Sequence, residues 1–177
     1  MKALFLTFHG FHATNGISKK IHYQVRALEA NGVETHLCYL SEKQGIKYRM
    51  LDQEILADYG DGIKGKLYKR FEFNSVFRYI IKNQIDLVYI RSDHNANPFT
   101  IRLVSKIKKA GIHVVMEIPT YPYDQEYILS KGKIQLLIDK CFRKQLAKYL
   151  DRIITFSNYK TIFGIPTLQI SNGIDFK

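Results

Sequence analysis

Six short apolar runs, each separated from the next by turn signals or a stretch of helical periodicity, constrain this chain more than any other feature. Ala3–Phe8, Val33–Leu40, Leu87–Ile90, His113–Ile118, Arg152–Phe156 and Thr167–Ile170 all read as strands. They are near-continuous in apolar residues rather than alternating. That is the pattern of strands covered by helices on both faces, and it predicts a mainly parallel sheet.

The helices between them have legible ends. One opens at Ser18, carries Ile21, Val25 and Leu28 on one face, and stops at Asn31-Gly32, where glycine can adopt a left-handed cap. Another has Asn97 as N-cap, Pro98 at its first position, Ile101, Val104 and Ile107 as its stripe, and Gly111 beyond its end. A third, Lys131–Leu150, is expected to turn Ile134, Leu137, Ile138, Cys141, Phe142, Leu146 and Tyr149 toward the core. Repeated strand–helix–strand units predict an α/β domain: a doubly wound, mainly parallel sheet in a three-layer Rossmann-like arrangement. Ser41–Gly65, punctuated by Gly45, Gly60, Gly62 and Gly65, yields no assignable element.

With 177 residues, 46% of them hydrophobic and 24% charged, the chain can bury one core without disulfides and is neither disordered nor a coiled coil. Cys38 and Cys141 are expected to be buried, reduced thiols, and two cysteines make no zinc framework. The apolar run at the start breaks at His9-Gly10, too soon for a signal peptide, and no stretch approaches the roughly 20 apolar residues of a membrane span. The expected location is cytoplasmic, with peripheral contact at the inner face of the membrane.

Chemistry is expected at the carboxyl ends of the strands. The first strand runs into a loop, His9–Ile17, that contains His12, Asn15 and Gly16, and Lys19 and Lys20 follow in the first helical turn. Amides at a helix start attract anions, so a phosphate suits this place; the two lysines oppose the helix dipole unless an anion binds there, or are simply solvated. The loop lacks the glycine pattern of dinucleotide sites and the P-loop lysine. Arg91-Ser92-Asp93-His94-Asn95 follows another strand. Its Ser, Asp and His are too close in sequence to fold into a triad. Arg91 can either hold a polyhydroxyl or anionic ligand through its planar fork or pair with a carboxylate. The segment from Glu117 to Tyr127 then combines Tyr121, Tyr123, Asp124 and Glu126 with two prolines, a composition suited to stacking on sugars and bonding hydroxyls.

Charge is uneven: Asp61–Lys82 and Lys131–Leu150 together carry +9 of the formal +11. In the first, Lys64, Lys66, Lys69 and Arg70 interleave with Phe71 and Phe73, which suits an anionic membrane surface and would also draw nucleic acid. A non-catalytic α/β module for a polyanion or nucleic acid is therefore the alternative function, although no RNA-binding signature or recognition helix accompanies it.

Taken in order, the Gly16 loop, Glu117-Ile118-Pro119-Thr120-Tyr121-Pro122-Tyr123, Arg152–Ser157 and Ile170-Ser171-Asn172-Gly173-Ile174-Asp175 resemble the N-terminal domain of family 4 retaining glycosyltransferases of the capsular and surface-polysaccharide type. The resemblance implies a GT-B enzyme of two Rossmann-like domains. Residues 1–171 would form the acceptor-side domain, and 172–177 would begin the linker to a missing C-terminal domain that binds the nucleotide sugar. It implies transfer of a hexosyl group to a surface-glycan or lipid-linked acceptor, inactivity of this portion alone, and no metal, cofactor or nucleic acid. Asn15, Gly16, Lys19 and Lys20 would face the donor diphosphate; His12, Arg91, Asp93, Tyr121, Tyr123, Asp124 and Glu126 would line the acceptor cleft; Lys64, Lys66, Lys69, Arg70, Phe71 and Phe73 would dock on the membrane. The resemblance leaves the catalytic group unassigned. Pro119 and Arg91 stand where many members carry histidine, and Tyr121, Tyr123 or Asp124 is the expected substitute contact to the sugar.

Overall fold

The computed structural model describes residues 1–11, 15–91, 96–127 and 130–171, with the side chains of residues 126, 130 and 131 outside the description. All six expected strands form: β1 (Lys2–Gly10), β2 (Glu34–Lys43), β5 (Leu87–Arg91), β6 (His113–Glu117), β7 (Arg152–Thr155) and β9 (Ile165–Gln169). They pair in parallel. Three further strands extend the sheet antiparallel at its edges, β3 (Ile46–Leu51) and β4 (Glu54–Gly60) beyond β2, and β8 (Thr161–Ile162) beyond β9. The order is β4-β3-β2-β1-β5-β6-β7-β9-β8.

Ser41–Gly65, opaque in the sequence, is thus mostly strand. β2 and β3 join through two residues, Gln44 and Gly45, both at positive φ, as the tight hairpin turn that matches strand twist requires. At the far end a Cβ on Gly65 would lie 2.3 Å from the Gly60 carbonyl oxygen, so only glycine lets helix α2 (Gly62–Phe71) sit this close to β4.

Helix α1 (Gly16–Ala30) covers one face of the sheet, where Ile21 and Val25 pack on Phe5, Leu37 and Tyr89. Phe5 and Tyr89 stack with ring centroids 4.4 Å apart. The opposite face carries α3 (Asn74–Lys82), α4 (Pro98–Lys109) and α5 (Ser130–Ala147) over Leu4, Leu6, Val88, Ile90, Val114 and Met116. The domain is therefore doubly wound and Rossmann-like. Asn97 caps α4 as expected, its side chain accepting from the amides of Phe99 and Thr100.

Two expectations fail on α5. Cys141 is exposed, whereas Cys38 is buried and its thiol is pushed up to about 11 by burial. Ile134, Leu137 and Ile138 face outward, Ile134 at 62% exposure. The cause is Asp139, which is buried on the inner side and accepts from the Ala96 amide and the Tyr123 hydroxyl. With Asp139 on the inner side, the first half of the stripe faces out, whereas Leu146 is buried and Phe142 and Tyr149 pack on the core as expected. Among the described residues no helix is long and apolar enough to cross a membrane.

Candidate functional site

The strand order reverses between β1 and β5, and parallel strands bring their carboxyl ends to one edge there, the usual position of a ligand crevice in such sheets. Register places Thr7, Arg91, Glu117 and Ile154 in one row across β1, β5, β6 and β7, on the face that α1 covers.

Glu117 is fully buried. Arg91 Nη1 donates to its Oε1 at 2.8 Å, and the Tyr89 hydroxyl and Gln24 Nε2 donate to Oε2 at 2.6 and 3.0 Å. Lys20 Nζ stands 3.7 Å from Oε1 and 3.4 Å over the centre of the Phe156 ring. Burial, and secondly the Glu117 carboxylate, hold the Tyr89 phenol far above its ordinary range, so it remains a proton donor. The Lys20 side chain is 26% exposed. Burial lowers its pKa, the Glu117 charge works against that, and Arg91 adds to the lowering. Among the described residues, two cations about one carboxylate leave a positive surplus at the edge, in surroundings where charge counts for more than in water.

Helix α1 starts earlier than expected. Asn15, not Ser18, is the N-cap, and its Oδ1 accepts from the Ile17 amide at 2.8 Å. The side chain expected to face a diphosphate is therefore committed to the helix. Gly16 is exposed, and a Cβ there would meet nothing within 4 Å. Lys19 is exposed, while Lys20 turns toward Glu117. Of the two ligands weighed for Arg91, the structure supplies the carboxylate.

The tyrosine segment belongs to the other face. Tyr123 is buried, and its hydroxyl donates to Asp139 Oδ2 at 2.6 Å, so its polar end is spent in the core rather than held toward a sugar. Asp124 accepts from Arg143 Nη2 at 2.8 Å and lies 2.8 Å from Lys140 Nζ; hydrogen bonds, from Arg143 first and then Lys140, hold its carboxyl below the usual range. Arg143 also donates through Nε to Asp139 at 2.6 Å. Tyr121 is half-buried among the rings of Tyr159, Tyr123 and Phe163. The structure thus joins Lys20 and Arg91 but sets Tyr123 and Asp124 apart from them. His12, Asp93, the Glu126 side chain and the 172–177 segment lie outside the described residues.

On α2, Lys64, Lys66, Arg70 and Phe71 are exposed and Lys69 is half-buried. Phe73 corrects the expectation of membrane docking: it is 8% exposed and packs edge-to-face on Phe8 in the core.

Sequence reasoning passed over Glu117, Gln24, Tyr89, Asp139 and Arg143 as site residues. A signal for the first existed, because a carboxylate closing the apolar run His113–Ile118 needs a buried partner, and Arg91 closes the neighbouring run. Lys20 and Gln24, four apart, share one helix face. Among the described residues no group of three or more His, Cys, Asp or Glu is placed to hold a metal ion.

No family model matches this chain, and neither does any curated protein sequence. Two solved structures are similar in part. The UDP-GlcNAc 2-epimerase from Methanocaldococcus jannaschii shares 11% identity over 88% of this chain and 39% of its own, with a TM-score of 0.47. A secreted C11 cysteine protease from Bacteroides thetaiotaomicron, solved with an irreversible peptide inhibitor, shares 10% identity over 71% of this chain and 45% of its own, with a TM-score of 0.37. The chain spans less than half of either protein, and at such identities and scores neither likeness speaks to what it binds or does.

Proposed function

We propose that the chain is the acceptor-side domain of a retaining GT-B glycosyltransferase, which moves a sugar from a nucleotide donor held by a second domain to a surface-glycan or lipid-linked acceptor. The observation that carries this reading is the positive surplus of Lys20 and Arg91 around Glu117 at the strand-order reversal, on the helix that opens at exposed Gly16. Departure of a nucleoside diphosphate builds negative charge on its oxygens, and a preorganised cation beside a helix start stabilises that charge without a metal. Glu117 and Tyr89 act by positioning: they orient Arg91 and Lys20 and stay clear of the reacting atoms.

The test is sugar transfer by the complete gene product, from a panel of labelled nucleotide sugars to glycolipid extract. One donor should be consumed, and Lys20→Met should lower kcat about a hundredfold while the protein stays folded. Absence of transfer from every donor, or full activity in Lys20→Met, would overturn the assignment.

A further inference from the structure

A concave groove of about 430 Å³ lies among α2, α4 and α5, on the face of the sheet opposite the Glu117 row. Its volume is within the roughly 300–1,000 Å³ of small-ligand pockets. Four phenylalanines, Phe8, Phe73, Phe99 and Phe142, line it together with Leu40 and Ile138. Phe8 meets Phe73 edge-to-face with ring centroids 5.5 Å apart, and Phe99 meets Phe71 in the same way at 4.6 Å. Rings set at such angles offer both edges and faces, so a further ring can meet them in the perpendicular or offset geometries that aromatic pairs prefer. A rigid ring also loses less conformational freedom on binding than a flexible chain does.

The charge around the groove has one sign. Lys69 and Arg70 line its α2 side, and among the described residues no acid lines it. A third cation stands behind the wall. Arg49 is fully buried, pairs in register with the wall residue Leu40, and has its Cζ 5.6 Å from the centre of the Phe8 ring. Its Nη1 donates to the Thr7 carbonyl at 2.9 Å and its Nε to the Tyr59 hydroxyl at 3.4 Å. Its Nη2 has no hydrogen-bond partner, and among the described residues no carboxylate pairs with the guanidinium. A buried cation without a counter-ion is costly, and an anion brought near it through the weakly screening interior lowers that cost.

We infer that the groove is a binding site for a small aromatic anion, an aryl carboxylate in its simplest form, with the rings among the phenylalanines and the anionic group toward Lys69 and Arg70. Arg49 attracts it from behind the wall without touching it. Charge complementarity selects the anion, and the edge-to-face pairs select the aromatic body. A second copy of a chain carrying +11 would be repelled. The site turns Phe73 from an inserted anchor into a ligand-facing wall. It stands apart from the transferase reading, because binding here needs neither a sugar donor nor a second domain.

The experiment is calorimetric titration of the 177-residue chain with 2-naphthoate, against its neutral isostere 2-naphthamide and the ring-free anion octanoate. Naphthoate should bind one-to-one, about tenfold or more tighter than either comparator. Changing Lys69 and Arg70 together to Gln should remove about tenfold from naphthoate and leave naphthamide unmoved. Ile138→Glu, at an exposed position on the groove wall, should weaken naphthoate by at least as much without disturbing the core. No saturable naphthoate binding, equal binding of the amide, or full affinity in Ile138→Glu would each overturn the proposal. Tighter binding of octanoate would assign the groove to an alkyl chain, and a dimer in sedimentation velocity that Ile138→Glu dissolves would assign it to a second copy; either result overturns it too.

Discussion

Two buried carboxylates organise opposite faces of this sheet, and their surroundings differ in one respect that bears on function. Among the described residues, Glu117 has two cations, Arg91 and Lys20, and no second acid. Asp139 shares Arg143 with Asp124, and Lys140 adds a further contact to Asp124, so acids and bases balance. Asp139 also takes the Ala96 amide and the Tyr123 hydroxyl. The balanced cluster ties α5 to two loops and closes upon itself. The unbalanced one fastens α1 to the sheet and still leaves positive charge at the crevice. Similar chemical parts therefore make a clamp on one face and a site with charge to offer on the other.

The largest test of that contrast removes each carboxylate in turn. Glu117→Ala strands two cations in a dry setting and should cost roughly 3–5 kcal/mol. Asp139→Ala leaves the Ala96 amide and Tyr123 hydroxyl unmet but keeps Arg143 paired with Asp124, so the loss should be smaller, roughly 2–3 kcal/mol. Urea midpoints at constant slope read both values. An Asp139→Ala loss equal to or above that of Glu117→Ala would erase the distinction.

A smaller effect isolates the surplus cation. Folding lowers the Lys20 pKa through burial, so at neutral pH the folded state bears a cost for keeping it charged. That cost fades as pH rises through the lowered value toward the unfolded one near 10.4. Lys20→Met should accordingly hold or slightly raise the midpoint at pH 7, and its advantage over the native chain should shrink to nothing across the alkaline limb. A marked loss of stability at pH 7 would mean that Lys20 serves as a structural counter-ion, and the surplus would then be a bookkeeping artefact of the pair.

How much of this was legible depends on what fixes each feature. The parallel strands were readable because burial on both faces demands continuous apolar runs, and Asn97-Pro98 announced its helix because cap chemistry is local. The β3–β4 pair was not, since its polar, glycine-punctuated strands are stabilised by pairing rather than by their own pattern. The α5 stripe misled for a related reason: periodicity gives the width of an apolar face but not which neighbour turns it. Here a single acid, satisfied by residues 16 and 43 positions away, decided the rotation. The same holds for the site. Gly16, Lys20 and Arg91 could be picked out by type and position, whereas Glu117 becomes legible only when strand register sets it beside Arg91.

The finest effect probes the balanced cluster through Asp124. Its carboxyl is held below the usual range, so the ion pairs add stability above the unfolded value near 3.9 and lose it as pH falls through the folded one. The side chain is 35% exposed, and solvent screening limits the contribution to under about 1 kcal/mol. Asp124→Asn should thus lower the midpoint slightly at pH 7 and converge with the native chain as pH falls through the lowered value of the folded state, with the gap narrowing in high salt. Convergence by salt as well as by acid would place Asp124 at the solvated rim of the clamp, with Asp139 as its dry centre; a gap that high salt left unchanged would show that the side chain contributes by packing, because salt cannot remove that.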